Sequence, residues 1–261
     1  MGAVIAVANQ KGGVGKTTTA VHIGAYLGLM GPVLLVDCDP QANATSWLGA
    51  DPRSVQPSLY EALIGERSLL DAVRATDEHG LWLAPANRNL AGAPIELVDL
   101  PDRELRLRAA LAAVRDRYGV ILLDCPPSLD LLTVNALAAA DAVVVPVQCE
   151  YLALEGLGQL VETIERVRRY LNPRLELLGL LLTMAQARTN LSTQVQDQVR
   201  QHFPGATFGS VIPRAVRLSE APSHGQSVLR YDPTSRGAAA YAALADELVQ
   251  RGYGLPAGGR A

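Results

Sequence analysis

Hydrophobic residues fall into two rhythms along this chain. Short unbroken runs rich in Val, Ile and Leu occur at Val4–Ala8, Val33–Asp37, Leu81–Ala84, Val120–Asp124, Ala142–Val147 and Leu177–Thr183, with a further one at Phe208–Ile212. Runs of this length and composition predict strands buried on both faces. Between them lie longer stretches of helical period: Thr18–Leu29, Arg103–Arg117, Leu131–Ala139, Leu154–Leu171, Ser192–His202 and Ser235–Arg251. Strand alternating with helix predicts an α/β fold, a single doubly wound, mostly parallel sheet flanked by helices. No Pro/Ser-rich linker or tandem repeat divides the chain, so one domain is expected over residues 1–251, followed by a flexible C-terminal tail at 252–261.

Composition refines this picture only slightly. A chain of 261 residues, about half of them hydrophobic, suffices for one large core. A net charge of −3 excludes a uniformly basic nucleic-acid binder while leaving room for a local basic patch. The opening MGAVIAVANQ lacks a basic region and a signal-length apolar run, and no later segment approaches a membrane span, so a cytoplasmic protein is expected. Cys38, Cys125 and Cys149 read as reduced core thiols. His22, His79, His202 and His224 show no metal-binding spacing.

Lysine is distributed far less evenly. Lys11 and Lys16 are the only lysines of the chain, and both lie in Ala8-Asn9-Gln10-Lys11-Gly12-Gly13-Val14-Gly15-Lys16-Thr17-Thr18-Thr19. This glycine-rich turn follows the first predicted strand and opens the first long helix, a position in which backbone N–H groups and a helix N-terminus face anionic phosphate. Lys16 and Thr17 fit the end of a phosphate loop, with the ammonium on the β- and γ-phosphates and the hydroxyl on Mg²⁺. Lys11 stands at the loop's far end and is expected to point away from those phosphates. Two subunits facing each other across ATP would let Lys11 of each reach the other's nucleotide as a compact point charge.

The stretch Lys11–Thr18 resembles the deviant Walker A motif of the ParA/MinD group of P-loop NTPases. Within that group the chain resembles the ParA/Soj partition ATPases over nearly its whole length. The likeness also rests on Val36-Asp37-Cys38-Asp39-Pro40-Gln41-Ala42-Asn43-Ala44-Thr45, Leu122-Leu123-Asp124-Cys125-Pro126-Pro127-Ser128, Pro146-Val147-Gln148-Cys149-Glu150-Tyr151 and the stretch from Ile212 to Ser223. Two positions depart from the family pattern: Ala42 stands where glycine is usual, and Ala215 where asparagine is usual.

The nucleotide-binding set expected on these grounds is Lys11, Gly12, Gly13, Val14, Gly15, Lys16, Thr17, Thr18, Asp124, Met184, Pro213 and Arg214. For Pro213 and Arg214 the resemblance implies main-chain contacts to adenine. Asp124 ends an apolar strand beside the loop, where a carboxylate holds Mg²⁺ directly or through water; Thr17 and Asp39 complete the metal set. Asp37 and Asp39 are expected to face different ways, only one meeting the γ-phosphate. By resemblance Asp39 orients the attacking water and Asp37 anchors the following loop. Lys11, Lys16 and Asp39 are therefore the catalytic set. Trp82 reads as a packed aromatic, and Trp47 as part of a dimer face.

From Arg166 to Arg236 arginines outnumber acids, and no recognition helix or zinc module is visible, which points to sequence-independent contacts with DNA backbone. A solvated helix face explains Arg166, Arg168 and Arg169 equally well. Arg188, Arg217 and Arg230, in loops or near helix ends, are the candidate DNA contacts. The resemblance implies a weak ATPase with ATP and Mg²⁺, an ATP-sandwich homodimer, non-specific double-stranded DNA on the nucleoid, and a ParB/Spo0J-type partner that stimulates hydrolysis. Two rivals share the loop. A nitrogenase-type iron protein needs cysteines bridging a cluster between subunits. A membrane-attached MinD-like ATPase needs an amphipathic C-terminal helix, which Gly252–Gly259 cannot form.

Overall fold

Strand β1 (Ala3–Val7) lies inside an eight-stranded sheet, with β2 (Val33–Asp37), β3 (Arg74–Ala75), β4 (Leu81–Ala84), β5 (Val120–Asp124), β6 (Ala142–Gln148), β7 (Glu176–Ala185) and β8 (Thr207–Pro213). The structure, a computed structural model, describes residues 2–150, 153–186 and 190–254. Strand order is β3-β4-β2-β5-β1-β6-β7-β8, and every neighbouring pair is parallel except the short β3–β4 pair. Side chains alternate across the sheet, so Val4 and Ala6 of β1 enter one core while Ile5 and Val7 enter the other. The same split separates Ile121 and Leu123 from Val120 and Leu122 on β5. That alternation is why the runs read as continuously apolar.

One face is covered by the helices Lys16–Gly28 and Arg236–Gln250, joined by Tyr26 Oη donating to the Ala238 carbonyl at 2.7 Å. The other carries Leu131–Ala139, Ala153–Tyr170 and Asn190–His202, which bring Ala136, Leu160, Ile164 and Val195 to its core. At its far end the Lys16–Gly28 helix runs backbone against backbone with the turn before β4: a Cβ on Gly80 would stand 2.1 Å from the Gly28 carbonyl oxygen. The chain leaves β1 toward β2 on one side, and β6 flanks β1 on the other. Such a reversal opens a crevice at the C-terminal ends of the strands, and the glycine-rich loop sits there.

The expected doubly wound sheet is therefore present, and β2, β4, β5 and the Leu131–Ala139 helix begin and end at the expected residues. The single helix expected at Arg103–Arg117 is instead a 3₁₀ turn (Arg103–Leu105), a helix (Arg106–Leu111) and a second 3₁₀ turn (Arg115–Arg117). A tertiary partner interrupts it: the Asn135 carboxamide accepts the Leu107 N–H at 3.0 Å and donates to the Arg103 carbonyl at 2.8 Å, taking over groups a continuous helix would pair internally. Of the tail expected from Gly252, Tyr253 is tied back through its hydroxyl to Glu176 at 2.7 Å, and residues 255–261 lie outside the described residues. Among the described residues no helix is long and apolar enough to cross a membrane.

Candidate active site

The loop between β1 and its helix closes through glycine and long-range hydrogen bonds. Gly13 and Gly15 have φ of 73° and 92°, left-handed conformations that favour residues without a Cβ. The Asn9 side chain donates to the Pro146 carbonyl at 2.7 Å and accepts the Lys11 N–H at 3.0 Å, while Thr183 Oγ1 donates to the Val14 carbonyl at 2.9 Å. Strands β6 and β7 thus hold both ends of the loop. The helix begins at Lys16 without a side-chain cap, leaving its first N–H groups to a ligand.

Above the loop lies a cavity of about 530 Å³ whose walls include Gly12, Gly13, Gly15, Lys16, Thr17, Thr18, Asp39 and Met184. Lys16 is buried, with Nζ donating to the Lys11 carbonyl at 3.0 Å. Burial lowers its pKa, opposed by the charges of Asp124 and Asp39. The half-buried Lys11 side chain is not part of the cavity wall. Val14 is buried and also stands outside it.

The carboxylates divide the work among them. Strand β2 ends at Asp37, so Asp39 lies in the following turn. Alternation along a strand would have put residues two apart on one face; the end of the strand is what separates the pair. Asp37 turns to backbone. Its Oδ2 accepts the Thr45 N–H at 2.8 Å and the Thr45 hydroxyl at 2.7 Å, and Oδ1 accepts the Asp39 N–H at 3.2 Å. Thr45 Oγ1 in turn accepts the buried Ala86 N–H at 2.8 Å. Burial pushes the Asp37 carboxyl up to about 6 against these hydrogen bonds. Asp39 faces the cavity and accepts the Gln41 N–H at 2.9 Å; burial raises its pKa too, with the Gln41 N–H and Lys16 opposing.

Asp124 is fully buried at the end of β5, and among the described residues neither carboxylate oxygen has a hydrogen-bond partner of ordinary geometry, the Thr17 hydroxyl being the polar group beside it. Burial, with Asp37 and Asp39 adding like charge, raises its pKa well above the usual carboxylate range, although Thr17 and Lys16 oppose the rise. An orphaned carboxylate beside a threonine hydroxyl and a phosphate loop fits a divalent cation. Among the described residues no group of three or more His, Cys, Asp or Glu could hold a metal unaided. Mg²⁺ usually takes one or two carboxylates together with phosphate oxygens.

A second pocket of about 240 Å³ adjoins the first and shares Gly15, Thr18, Met184 and Pro222 with it. Pro213, Arg214, Ala215, Leu218 and Tyr241 form much of its wall. The Arg214 N–H is already given to the Ala185 carbonyl at 3.0 Å. The larger cavity suits phosphates and the smaller, apolar one a base. Sequence reasoning overlooked Gln41, Asn43, Ser46, Pro127 and Pro222 in the first wall and Tyr241 in the second. All but Ser46 and Tyr241 lie in stretches already singled out; Ser46 follows directly after one of them, and Tyr241 carries no local signal, being placed by the packing of the last helix.

Other expected positions resolve as follows. Trp47, expected at a dimer face, is buried: its ring meets His22 edge-on at 5.3 Å and Nε1 donates to the Gln226 carbonyl at 2.9 Å. His22 is wholly buried, which drives its pKa down to about 3, and stays neutral. Trp82, expected to be packed, is 38% exposed with its edge toward Tyr118. Cys38, Cys125 and Cys149 are free and buried. Arg217 pairs with Glu220 at 2.8 Å and Asp232 at 3.1 Å, and Arg230 donates to the Asp77 carbonyl at 2.8 Å. Both arginine side chains stay substantially exposed. Arg188 lies outside the described residues.

A family profile described as an AAA domain matches residues 2–177. The sporulation initiation inhibitor protein Soj of Bacillus subtilis is 53% identical over 253 residues, covering 97% of this chain and 100% of that protein. The chromosome partitioning protein ParA of Caulobacter vibrioides is 52% identical, covering 95% of this chain and 94% of that protein. Among solved structures, a Mycobacterium smegmatis protein described as cobyrinic acid a,c-diamide synthase, with bound ADP and magnesium, superposes with a TM-score of 0.86 at 42% identity over 98% of both chains.

Proposed function

Because this chain belongs to the Soj/ParA family of partition ATPases, we propose that it is an ATP-dependent switch that dimerises around ATP, binds DNA without sequence preference as the dimer, and lets go on hydrolysis. One observation carries the reading: the two lysines of a single loop part company, Lys16 in the cavity wall and Lys11 outside it. Lys16 serves the nucleotide of its own subunit. Lys11 remains for a nucleotide presented by a second copy.

Hydrolysis then follows from positioning and charge. The helix N-terminus and Lys16 hold the β- and γ-phosphates, and Asp39, fixed by the Gln41 N–H, orients the attacking water. Thr17, Asp124 and Asp39 would hold Mg²⁺, which supplies charge neutralisation at the phosphates. The Asp37–Thr45–Ala86 chain of hydrogen bonds sets where the Asp39 turn can lie. A slow intrinsic rate suits a timer whose hydrolysis is stimulated by a ParB/Spo0J-type partner. Cys38 and Cys125, buried in the core on the sheet face opposite the Lys16–Gly28 helix, argue against a cluster bridging two subunits.

The test is DNA retention measured with ATP, with ADP and without nucleotide, in the wild type and in Asp39→Ala. The wild type should hold DNA only with ATP, and the variant should hold it longer because its dimer persists. Equal retention with ADP would reject the switch, and loss of ATP binding in the variant would reject the role given to Asp39.

A further inference from the structure

Trp47 ends the short helix Asn43–Trp47 that follows the Asp39 turn, and it lines the cavity with Lys16 and Asp39. Its indole N–H reaches a carbonyl 179 residues further along the chain, that of Gln226. The next residue is clamped from the other side: the Ser227 N–H and hydroxyl both donate to the buried Glu78 carboxylate, at 2.7 Å and 2.9 Å. Arg230 lies 3.8 Å from that carboxylate, and Asp232 holds Arg217 at 3.1 Å. Between indole and segment sits His22, edge-on to Trp47, with Nε2 accepting the Val228 N–H at 3.4 Å. The stretch Gln226–Asp232 therefore meets the nucleotide cavity's wall at one end and carries or holds both arginines at the other.

Its only regular structure is the single turn Val228–Tyr231, far too short to hold its own place. What it hangs on decides where it lies. Glu78 belongs to the turn between β3 and β4, neighbouring strands of the sheet. Trp47 belongs to the wall that a terminal phosphate would meet. We infer that Trp47 is a positioning residue that ties the Asp39 turn to the Arg217/Arg230 face, so that the nucleotide state and the arginine face constrain each other. The inference rests on the reading of that face as the DNA contact.

Coupling of this kind is reciprocal: if ATP tightens DNA binding through Trp47, DNA must tighten ATP binding by the same factor. A packing role for the indole predicts neither effect. The test variant is Trp47→Phe, which keeps a ring against His22 and removes the N–H. Two ratios are measured beside the melting temperature: DNA affinity with a non-hydrolysable ATP analogue over that with ADP, and analogue affinity with and without double-stranded DNA. Both should fall roughly fivefold, the equivalent of one lost hydrogen bond. Ser227→Ala, away from the cavity, should shift both ratios the same way and less.

Wild-type ratios in Trp47→Phe, whatever its melting temperature, would overturn the inference. Should that variant fail to fold, wild-type ratios in Ser227→Ala would do so. A wild type that binds DNA equally with the analogue and with ADP would reject the switch itself, and wild-type DNA affinity in Arg217→Ala and Arg230→Ala would sink the reading of the arginine face instead.

Discussion

Replacing Asp124 by asparagine should make the nucleotide-free protein more stable. The carboxylate is fully buried, has among the described residues no hydrogen-bond partner of ordinary geometry, and sits near Asp37 and Asp39 with the Thr17 hydroxyl and the Lys16 charge opposing them. Leaving a neutral polar group unpaired in the interior costs about 1–3 kcal/mol, and a charged one more. Asparagine keeps the shape and removes the charge, so a gain of roughly 1–2 kcal/mol is expected, or about 2–8 °C in melting temperature for a chain of this size. The measurement is thermal unfolding at neutral pH with EDTA and no nucleotide.

The sign can be checked by pH. A carboxyl whose folded pKa is raised contributes stability that is complete below its unfolded pKa and is lost as pH rises through the folded value. The advantage of Asp124→Asn should therefore open as pH increases and close toward pH ~4, the ordinary carboxylate range. Mg²⁺ and ATP together should reverse the order, since only the wild type keeps its metal carboxylate. A variant that melts below the wild type in EDTA, or a difference independent of pH, would show that Asp124 is compensated by the protein itself.

Thr45→Val removes the hydroxyl that both donates to Asp37 and accepts the buried Ala86 N–H; urea unfolding should register a loss of about 3 kcal/mol. Ala42, at φ 53°, occupies a left-handed position where alanine is strained, so Ala42→Gly should stabilise by about 1 kcal/mol in the same assay. Lys16→Ala should weaken nucleotide binding itself, whereas Lys11→Ala should bind ATP as a monomer and fail to dimerise in sizing chromatography with ATP; normal dimers from the Lys11 variant would remove its cross-subunit role.

Much of the site could be read from residues because its physics is local. A glycine-rich turn between a strand and a helix needs no tertiary information to announce a phosphate, and Asp124 and Asp37 stand at the ends of runs whose boundaries were set by where hydrophobicity stops. Trp47 was misplaced because nothing near it in sequence reveals Gln226 or His22 as neighbours. The interruption at Arg103–Arg117 was hidden for the same reason, since the groups that break the helix belong to Asn135. Short helices such as Leu59–Ile64 and Val216–Glu220 span too few turns for their period to be seen.

The hydrogen bond from Thr183 to the Val14 carbonyl joins residues 169 apart, and β1 pairs with β5 and β6 from the middle of the chain. A loop encoded among the earliest residues is thus completed by some of the later ones. At ordinary translation speeds of about 5–20 residues per second, it waits roughly ten to thirty seconds for Thr183 to be made. Until β5 and then β6 are made β1 lacks its partners, and until Thr183 follows the loop's glycines lack the frame that holds them. Nascent fragments should therefore be unable to capture ATP, and the nucleotide should act as a late inspection, binding only chains whose second half has already been threaded into the sheet.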